Sequence, residues 1–439
     1  MGKLKIREDI RIGLFLILAA FLVYNLNLRV VGQGDSYATR VMPFALLTEG
    51  TLNLDDFRVV AAEGNPQPYW LQKTIDGHIA SLYPIITPIL VTPLYVPVVA
   101  YLKATGWTDN RLNLWAQIME KVSASSITAL AVGFMYLAIR RRASERTSIL
   151  LTLAFAFATG TWSTSSQALW QHGASELFLS LSLWLITGPN TPIRSVLAGF
   201  SIALIACNRP PDVFIAAAIG VPSILWASRR AALFLLSGLL VVVATISYNV
   251  HTFGHLAGAY HGPGVQALSG NFPSGLAGLL FSPGRGLFVF APFFLAIPFG
   301  LGIVLRDNSC VFLTRCLVIG IAGEIIFYSF TPFWPAGFSY GPRYMIDLFP
   351  AMIWIMAPIV EKLQGMLRMS FVGVIIFSIW VEYIGAFHYT GESNLIYFQG
   401  AGLPINSTPF WIPANTQFVL ESKHPRQPPS LITTIRNAL

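Results

Sequence analysis

The sequence predicts an all-α protein that crosses a membrane many times. Of its 439 residues, 54% are hydrophobic and 11% are charged, whereas about 25% are charged in an ordinary soluble domain. The apolar stretches are long and continuous, which favours helical spans over the alternating strands of an outer-membrane barrel. The net charge of +8 lies in short clusters between these stretches, so no nucleic-acid partner is expected.

The first apolar stretch follows a basic N-terminal segment and precedes no small-residue cleavage site, which predicts a retained anchor. The hydropathy pattern predicts about eleven spans, within a range of about 11 to 13. With the N-terminus inside, the basic linkers at 140–146, 194, 229–230, 306–315 and 362–368 all fall on the cytoplasmic side. The predicted spans are 12–31, 116–139, 148–166, 174–188, 194–208, 211–227, 231–249, 286–305, 311–330, 346–360 and 369–388.

Residues 84–104 do not fit this count. They are apolar enough to cross, but one crossing there would put the basic linker 140–146 outside. Prolines at positions 84, 88, 93 and 97 each remove a backbone donor. We therefore predict a bent or re-entrant path, buried against neighbouring helices, with no net crossing.

The chain divides into a transmembrane domain over residues 1–388 and a short periplasmic extension over 389–439. The first outer loop, 32–83, is the longest. Within it, Val41 to Gly50 predicts a short helix lying in the membrane interface. Asp76-Gly77, between Tyr69 and Tyr83, predicts a hairpin. The extension is rich in proline and asparagine, so we expect it to be loosely structured.

Asp35, just after the first span, is the candidate catalytic base. A carboxylate at the edge of a membrane suggests lipid-linked chemistry at that face. Gly32 and Gly34 permit close approach of another backbone, and Arg40 is a possible polar partner. The alternative is a helix cap or a solvated loop residue.

Arg343 is the main candidate for binding phosphate, because a guanidinium offers paired donors to phosphate oxygens. It lies in Ser339-Tyr-Gly-Pro-Arg-Tyr344, where Tyr340 and Tyr344 flank it and are candidates for contacting the donor sugar or phosphate. The alternative is an interfacial aromatic belt with a snorkelling arginine. Asp347, one turn onward, either orients Arg343 or caps the helix.

Three further cationic or polar groups lie between spans. Arg209, in the Arg209-Pro-Pro-Asp212 break, needs an anionic partner, and Asp212 is the simplest choice. His172 lies in a tight turn and is a candidate for contacting the donor. A purely structural role is the alternative. Arg285, with the backbone amides of its Ser-Pro-Gly-Arg-Gly segment, predicts an anion site or simply a basic helix start.

Asp55 and Asp56 are adjacent carboxylates in the first outer loop. They form either a solvated turn or a contact to an acceptor or a cation. The three cysteines, by contrast, have no ligand-like neighbours, so neither a disulfide framework nor a zinc site is predicted.

These groups suit sugar transfer from a lipid phosphate to an alcohol. That reaction needs a base for the incoming hydroxyl, and phosphate leaves readily once cations stabilise its charge. One carboxylate and several cations suffice. A glycosidase, by contrast, needs a pair of carboxyl groups.

The chain resembles bacterial members of the GT-C superfamily of polytopic glycosyltransferases, which includes protein O-mannosyltransferases and aminoarabinose transferases. The resemblance covers most of residues 8–388. It rests on Asp35, the large first outer loop, Tyr83-Pro-Ile-Ile-Thr-Pro88, Trp170-Gln-His-Gly173, Arg209-Pro-Pro and Ser339-Tyr-Gly-Pro-Arg-Tyr344, in that order.

The resemblance implies an inverting transfer from a polyprenyl-phosphate sugar, with Asp35 as base and Arg343, Arg209 or Arg285 at the donor phosphate. The enzyme would be a multi-pass protein of the bacterial inner membrane, active at the periplasmic face, with a glycan, lipid or protein as acceptor. Asp35-Ser36 stands where mannosyltransferases usually have two acids, and no DxD is present. We therefore expect no cofactor, although a divalent metal remains compatible with the sequence. A transporter or flippase of a lipid-linked sugar is the alternative function.

Overall fold

Helices make up nearly all of the regular structure. The computed structural model describes residues 3–66, 68–261, 268–307, 310–398, 407–432 and 435. Parts of the predicted extension and of the 306–315 linker lie outside these ranges. The elements of the described ranges are α1 Lys3–Asn25, α2 Gly34–Glu49, α3 Arg58–Ala61, β1 Leu71–Lys73, β2 Ile79–Ser81, α4 Ile86–Thr105, α5 Asp109–Ile139, α6 Glu145–Phe157, α7 Gln171–Ile186, α8 Pro192–Asn208, α9 Val213–Ala227, α10 Ala231–Phe253, α11 Phe272–Phe281, α12 Leu287–Phe290, α13 Ala296–Arg306, α14 Val311–Ser329, α15 Phe349–Lys362, α16 Gly365–Phe387, α17 Glu392–Tyr397 and α18 Gln417–Glu421.

The all-α, multi-pass fold class is confirmed. Among the described residues, six helical segments are long and apolar enough to cross a membrane. Each predicted span overlaps at least one helix, although several of these helices are too short to cross alone. The number of about eleven crossings therefore stays a prediction. The six long segments are Ile86–Thr105, Asp109–Ile139, Pro210–Phe253, Val311–Ser329, Arg343–Lys362 and Gly365–Phe387.

The N-terminus and the basic linkers meet at one end of the bundle. α1 runs antiparallel to α5, with Asn25 Nδ2 donating to Ser125 Oγ at 2.9 Å near one end. At the other end, Arg140 pairs with Asp9 at 3.1 Å. Arg142, two residues further along, pairs with Asp307. The linkers that follow α5 and α13 thus lie beside the start of the chain.

Residues 86–104 lie in one continuous helix, α4, with Pro93 and Pro97 inside it. Pro88 falls in its first turn, where a missing N–H breaks no helical hydrogen bond. At its N-terminal end, Thr87 Oγ1 donates to Asn208 Oδ1 at 2.7 Å. The bend at the prolines and the absence of a net crossing stay predictions.

The first outer loop carries a helix and a hairpin, as predicted. α2 starts at Gly34, seven residues before the expected interfacial helix, and so includes Asp35. β1 and β2 are antiparallel, with Leu71 opposite Ser81. Gly77 adopts a φ of 86° in the connecting turn, a conformation that favours glycine.

The C-terminal extension is packed rather than loose in its described residues. Gln417 and Glu421 of α18 are fully buried, so their polar atoms need protein partners. Gln417 Nε2 donates to the Ser339 carbonyl at 3.0 Å, and Gln417 Oε1 accepts from the Gly341 amide at 2.9 Å. Glu421 accepts from the Thr390 amide at 2.8 Å. The extension is thereby fixed to the loop that carries Arg343.

Candidate active site

Asp35 accepts hydrogen bonds from three side chains at the start of α2. Arg343 Nη1 lies 2.7 Å from Asp35 Oδ2. Tyr83 and Tyr69 donate their hydroxyls to Asp35 Oδ1 at 2.5 and 3.0 Å. The Asp35 side chain is 19% exposed, so it is enclosed but still reachable. The structure therefore brings together the candidate base and the main candidate for binding phosphate.

The local sequence explains this position. A Cβ atom at Gly34 would lie 2.4 Å from the Trp70 ring, so only glycine lets α2 start against the hairpin. Tyr69 and Tyr83 continue the register in which Leu71 faces Ser81. The two hydroxyls consequently reach the same carboxylate oxygen.

The electrostatic environment keeps Asp35 ionised. Burial, the largest influence, would raise the pKa of this carboxyl. The Arg343 charge and the hydrogen bonds from Tyr83, Tyr69 and Arg343 outweigh burial, and the pKa falls below its ordinary value of 3.8. Asp35 is therefore a carboxylate at neutral pH, and a weak base in this arrangement.

Arg343 is a largely buried cation with an unused donor. It begins a 3₁₀ turn, Arg343–Leu348, and its side chain is 11% exposed. Its guanidinium lies 4.8 Å from the Trp170 ring centroid. Its Nε–H has no acceptor among the described residues. A buried guanidinium with a free N–H is suited to binding a further anion.

A second cationic group lies beside this pair. Arg209 Nη1 is 3.0 Å from Asp347 Oδ2, and Arg209 Nη2 donates to Tyr328 Oη at 2.5 Å. His172 Nδ1 is 3.0 Å from Asp347 Oδ1. Tyr344 stacks on Tyr328 with ring centroids 4.2 Å apart. Because Tyr344 directly follows Arg343, this stack joins the two cationic groups.

Asp347 binds different partners from the one expected. It holds His172 and Arg209 rather than Arg343. The expected pair of Arg209 with Asp212 is present as well, with Arg209 Nε 3.6 Å from Asp212 Oδ1. The physical reason is that the turn before α15 directs Arg343 towards the first outer loop and Asp347 towards α7 and α8.

Arg285 and Tyr340 are used in holding the fold together. Arg285 Nε donates to the Pro335 carbonyl at 2.9 Å and Nη2 to Asn394 Oδ1 at 2.6 Å, while Nη1 donates to Gln417. Tyr340 is 2% exposed and donates its hydroxyl to the Val381 carbonyl at 2.7 Å. Their donors are occupied within the protein, and a contact of these two residues with the donor stays a prediction.

Arg40, Asp55 and Asp56 also lie outside the Asp35 group. Arg40 is 2% exposed and pairs with Glu120 at 3.2 Å and with Glu63. Asp55 accepts from the Ile79 amide at 3.2 Å and stabilises the hairpin. Asp56 is exposed. Arg40 is therefore held in a buried ion pair, and the two aspartates lie apart from the Asp35 group.

Sequence reasoning missed the roles of Tyr69 and Tyr83. Both residues bounded the predicted hairpin. The observed register, with Leu71 opposite Ser81, is centred on Asp76 and places Tyr69 opposite Tyr83. What the hairpin prediction did not contain was the position of Asp35 between their hydroxyls, which depends on how α2 packs against the hairpin.

The arrangement combines one carboxylate with two cationic groups, linked by aromatic rings. A carboxylate beside a displaceable guanidinium can accept a proton from a hydroxyl. The guanidinium can at the same time neutralise a phosphate. No protein-family model and no curated protein sequence matches this chain.

Among solved structures, the chain is similar to the crystal structure of ArnT from Cupriavidus metallidurans bound to undecaprenyl phosphate. The TM-score is 0.50 and the sequence identity 14%, and the likeness covers 88% of this chain and 68% of that one. ArnT is a GT-C aminoarabinose transferase. The resemblance drawn from the sequence is thus confirmed for the fold: this chain is a multi-pass membrane protein whose fold is similar to that of ArnT.

Proposed function

We propose that this protein is a glycosyltransferase that moves a monosaccharide from a polyprenyl-phosphate donor to an acceptor hydroxyl. The observation that carries the proposal is the 2.7 Å pair between Asp35 and Arg343, a base next to a phosphate-binding cation. The likeness to ArnT, captured with undecaprenyl phosphate, supports a lipid phosphate as the ligand. The reaction occurs at the end of the bundle opposite the basic linkers, which is the outer face of the inner membrane.

Arg343 changes partner during the reaction. The donor phosphate competes with Asp35 for the guanidinium and also takes up the free Nε–H. Arg209, joined to Arg343 through the Tyr328–Tyr344 stack, stabilises the remaining phosphate charge, while Asp347 and His172 hold Arg209 in position. Donor binding thereby frees Asp35 Oδ2 for the acceptor.

Donor binding also strengthens the base. While Arg343 contacts Asp35, its charge helps to hold the pKa of this carboxyl down, although burial opposes it. Once the Arg343 guanidinium binds the phosphate, it lowers the pKa of Asp35 less. The effect of burial then raises this pKa. Asp35 therefore becomes a better base only when the donor is present, which limits wasteful attack by water.

The chemical step is a single displacement. The acceptor oxygen bonds to the anomeric carbon as its proton passes to Asp35. The bond from that carbon to the phosphate oxygen breaks, and polyprenyl phosphate leaves with the bonding electron pair. Attack from the face opposite the phosphate inverts the anomeric configuration. A glycan, a lipid and a protein hydroxyl all satisfy this chemistry as acceptor.

Purified protein incubated with labelled polyprenyl-phosphate sugars tests the proposal. A transferase releases free polyprenyl phosphate and labels an added envelope extract. A transporter would instead move the intact lipid across a vesicle bilayer without cleaving it. Movement without release of polyprenyl phosphate, across a panel of donor sugars, would overturn the enzymatic assignment.

A further inference from the structure

Three buried carboxylates meet behind the cationic group of Arg209. Asp212 directly precedes α9, Glu324 lies near the end of α14, and Asp347 belongs to the turn before α15. Their side chains are at most 1% exposed. One oxygen from each lies within 4.8 Å of the other two. Three such groups are costly to bury together unless something neutralises them.

Small residues allow α9 and α14 to pack closely at this point. A Cβ atom at Gly320 would lie 2.4 Å from the Ala218 Cβ atom of α9. Glycine therefore lets α14 pack closely on α9, one turn before Glu324. The close approach brings the Glu324 carboxylate against Asp212, where two like charges repel each other.

Glu324 has no partner for either oxygen. Neither Oε1 nor Oε2 accepts a hydrogen bond from any residue that the structure describes. Asp212 Oδ1 also accepts no hydrogen bond from a described residue. The Ser175 hydroxyl donates to Asp212 Oδ2 at 2.6 Å. Asp347 uses both oxygens with His172 and Arg209, yet a carboxylate retains further lone pairs. All three residues therefore retain lone pairs, and their oxygens lie close enough to share one ion.

The charges of the three carboxylates and Arg209 do not cancel when all three carboxyl groups are ionised. Arg209 is the cation that contacts this group. His172 contributes no charge, because Arg209 Nη1 lies 2.6 Å from Nδ1 and 2.9 Å from Nε2. An imidazolium would have no lone pair to accept this contact and would repel the guanidinium. Three carboxylates and one guanidinium leave two negative charges, which one divalent cation neutralises.

We propose that Asp212, Glu324 and Asp347 bind a divalent cation of the oxygen-preferring class, such as Mn²⁺, Mg²⁺ or Ca²⁺. Metal–oxygen distances of about 2.1–2.5 Å place ligand oxygens roughly 3–5 Å apart, which fits the observed spacing. The absence of cysteine ligands disfavours softer metals. Through Asp347 the cation holds Arg209 and His172 in position, so these three carboxylates are positioning residues.

Metal content measured on full-length protein tests this site. Protein in nanodiscs, dialysed against a chelator and reloaded with Mn²⁺, is expected to retain about one Mn²⁺ per chain after gel filtration. Its Tm is expected to rise on loading. Millimolar Mg²⁺ or Ca²⁺ should displace the Mn²⁺ signal in electron paramagnetic resonance, whereas Na⁺ should not.

Matched variants decide the assignment. Glu324→Gln keeps the shape but removes the charge, and is expected to lose the bound Mn²⁺. Glu382→Gln is the control, since Glu382 is equally buried but is hydrogen-bonded by Ser163, and it should bind as wild type. If Glu324→Gln does not fold, Asp212→Asn gives the same test.

Two results would overturn the site. Wild-type protein that retains no Mn²⁺ and shows no Tm change would mean that protons neutralise the carboxyl groups. Equal Mn²⁺ content in wild type and Glu324→Gln would place the metal elsewhere. Asp35→Asn should bind Mn²⁺ like wild type even if it transfers no sugar, so the site and the proposed function are tested separately.

Discussion

Arg343 Nη1 lies 2.7 Å from Asp35 Oδ2, although 308 positions separate the two residues in the chain. Asp35 starts the first outer helix and Arg343 starts the turn before α15. Their contact joins the two ends of the transmembrane domain at one site. In the proposed mechanism, the strength of Asp35 as a base depends on where the neighbouring cation is bound.

Tyr83→Phe should lower kcat more than Tyr69→Phe does. The Tyr83 hydroxyl is 2.5 Å from Asp35 and the Tyr69 hydroxyl 3.0 Å. A hydrogen bond to a charged group contributes about 1.5–3 kcal/mol, so losing the Tyr83 bond should cost about tenfold or more. Initial rates at saturating donor provide the comparison. A larger loss in Tyr69→Phe would mean that the shorter bond does not orient Asp35.

Arg343→Lys should raise the KM for the donor and lower kcat. Lysine keeps the charge but lacks the planar, paired N–H donors that bind phosphate. Arg343→Gln, which also removes the charge, should be the weaker enzyme. Donor titrations of both variants measure the effect. A donor KM equal to that of wild type in both would exclude Arg343 from phosphate binding.

The dependence of activity on pH should change when the cation is removed. In wild type without donor the pKa of Asp35 is below 3.8. The value of kcat/KM should therefore show no loss from protonation of this base above about pH 4. Arg343→Gln removes a lowering influence and leaves burial less opposed. The acid limb of kcat/KM should therefore move to higher pH. An acid limb at the same pH in both proteins would contradict this coupling.

Arg285→Met should destabilise the protein rather than alter donor use specifically. The change leaves the buried Asn394 Oδ1 without the Arg285 donor, at a cost of about 1–3 kcal/mol, and leaves Gln417 Oε1 with the Gly341 amide but without Arg285. Thermal unfolding in detergent should occur at a lower Tm. Arg58→Met, at an exposed position, is the control and should leave the Tm unchanged. A variant of normal Tm that has lost donor affinity would restore Arg285 to the donor site.

The features of this molecule that depend on short-range sequence patterns could be predicted. Apolar stretches predicted the helices, Asp76-Gly77 predicted the hairpin, and Arg209-Pro-Pro predicted the break between α8 and α9. These features depend on hydropathy and on backbone restrictions of a few neighbouring residues.

Pairing between distant side chains could not be predicted in the same way. Arg40, Arg285 and Arg343 are the same residue type in the sequence. Arg40 and Arg285 differ from Arg343 in the buried partners that they contact. Glu324 gave no signal in the sequence beyond being an acid in an apolar stretch. Its significance depends on α14 packing against α9, which long-range contacts determine.

The rate of polyprenyl phosphate release by Asp35→Asn is the most direct test of the central claim. Asparagine keeps the shape but cannot accept the proton, so release with acceptor present should fall by about 10²–10⁴-fold while the elution profile and Tm stay near wild type. Asp56→Asn, at an exposed carboxylate in the same loop, should retain full activity. Release at the wild-type rate by folded Asp35→Asn would contradict the account.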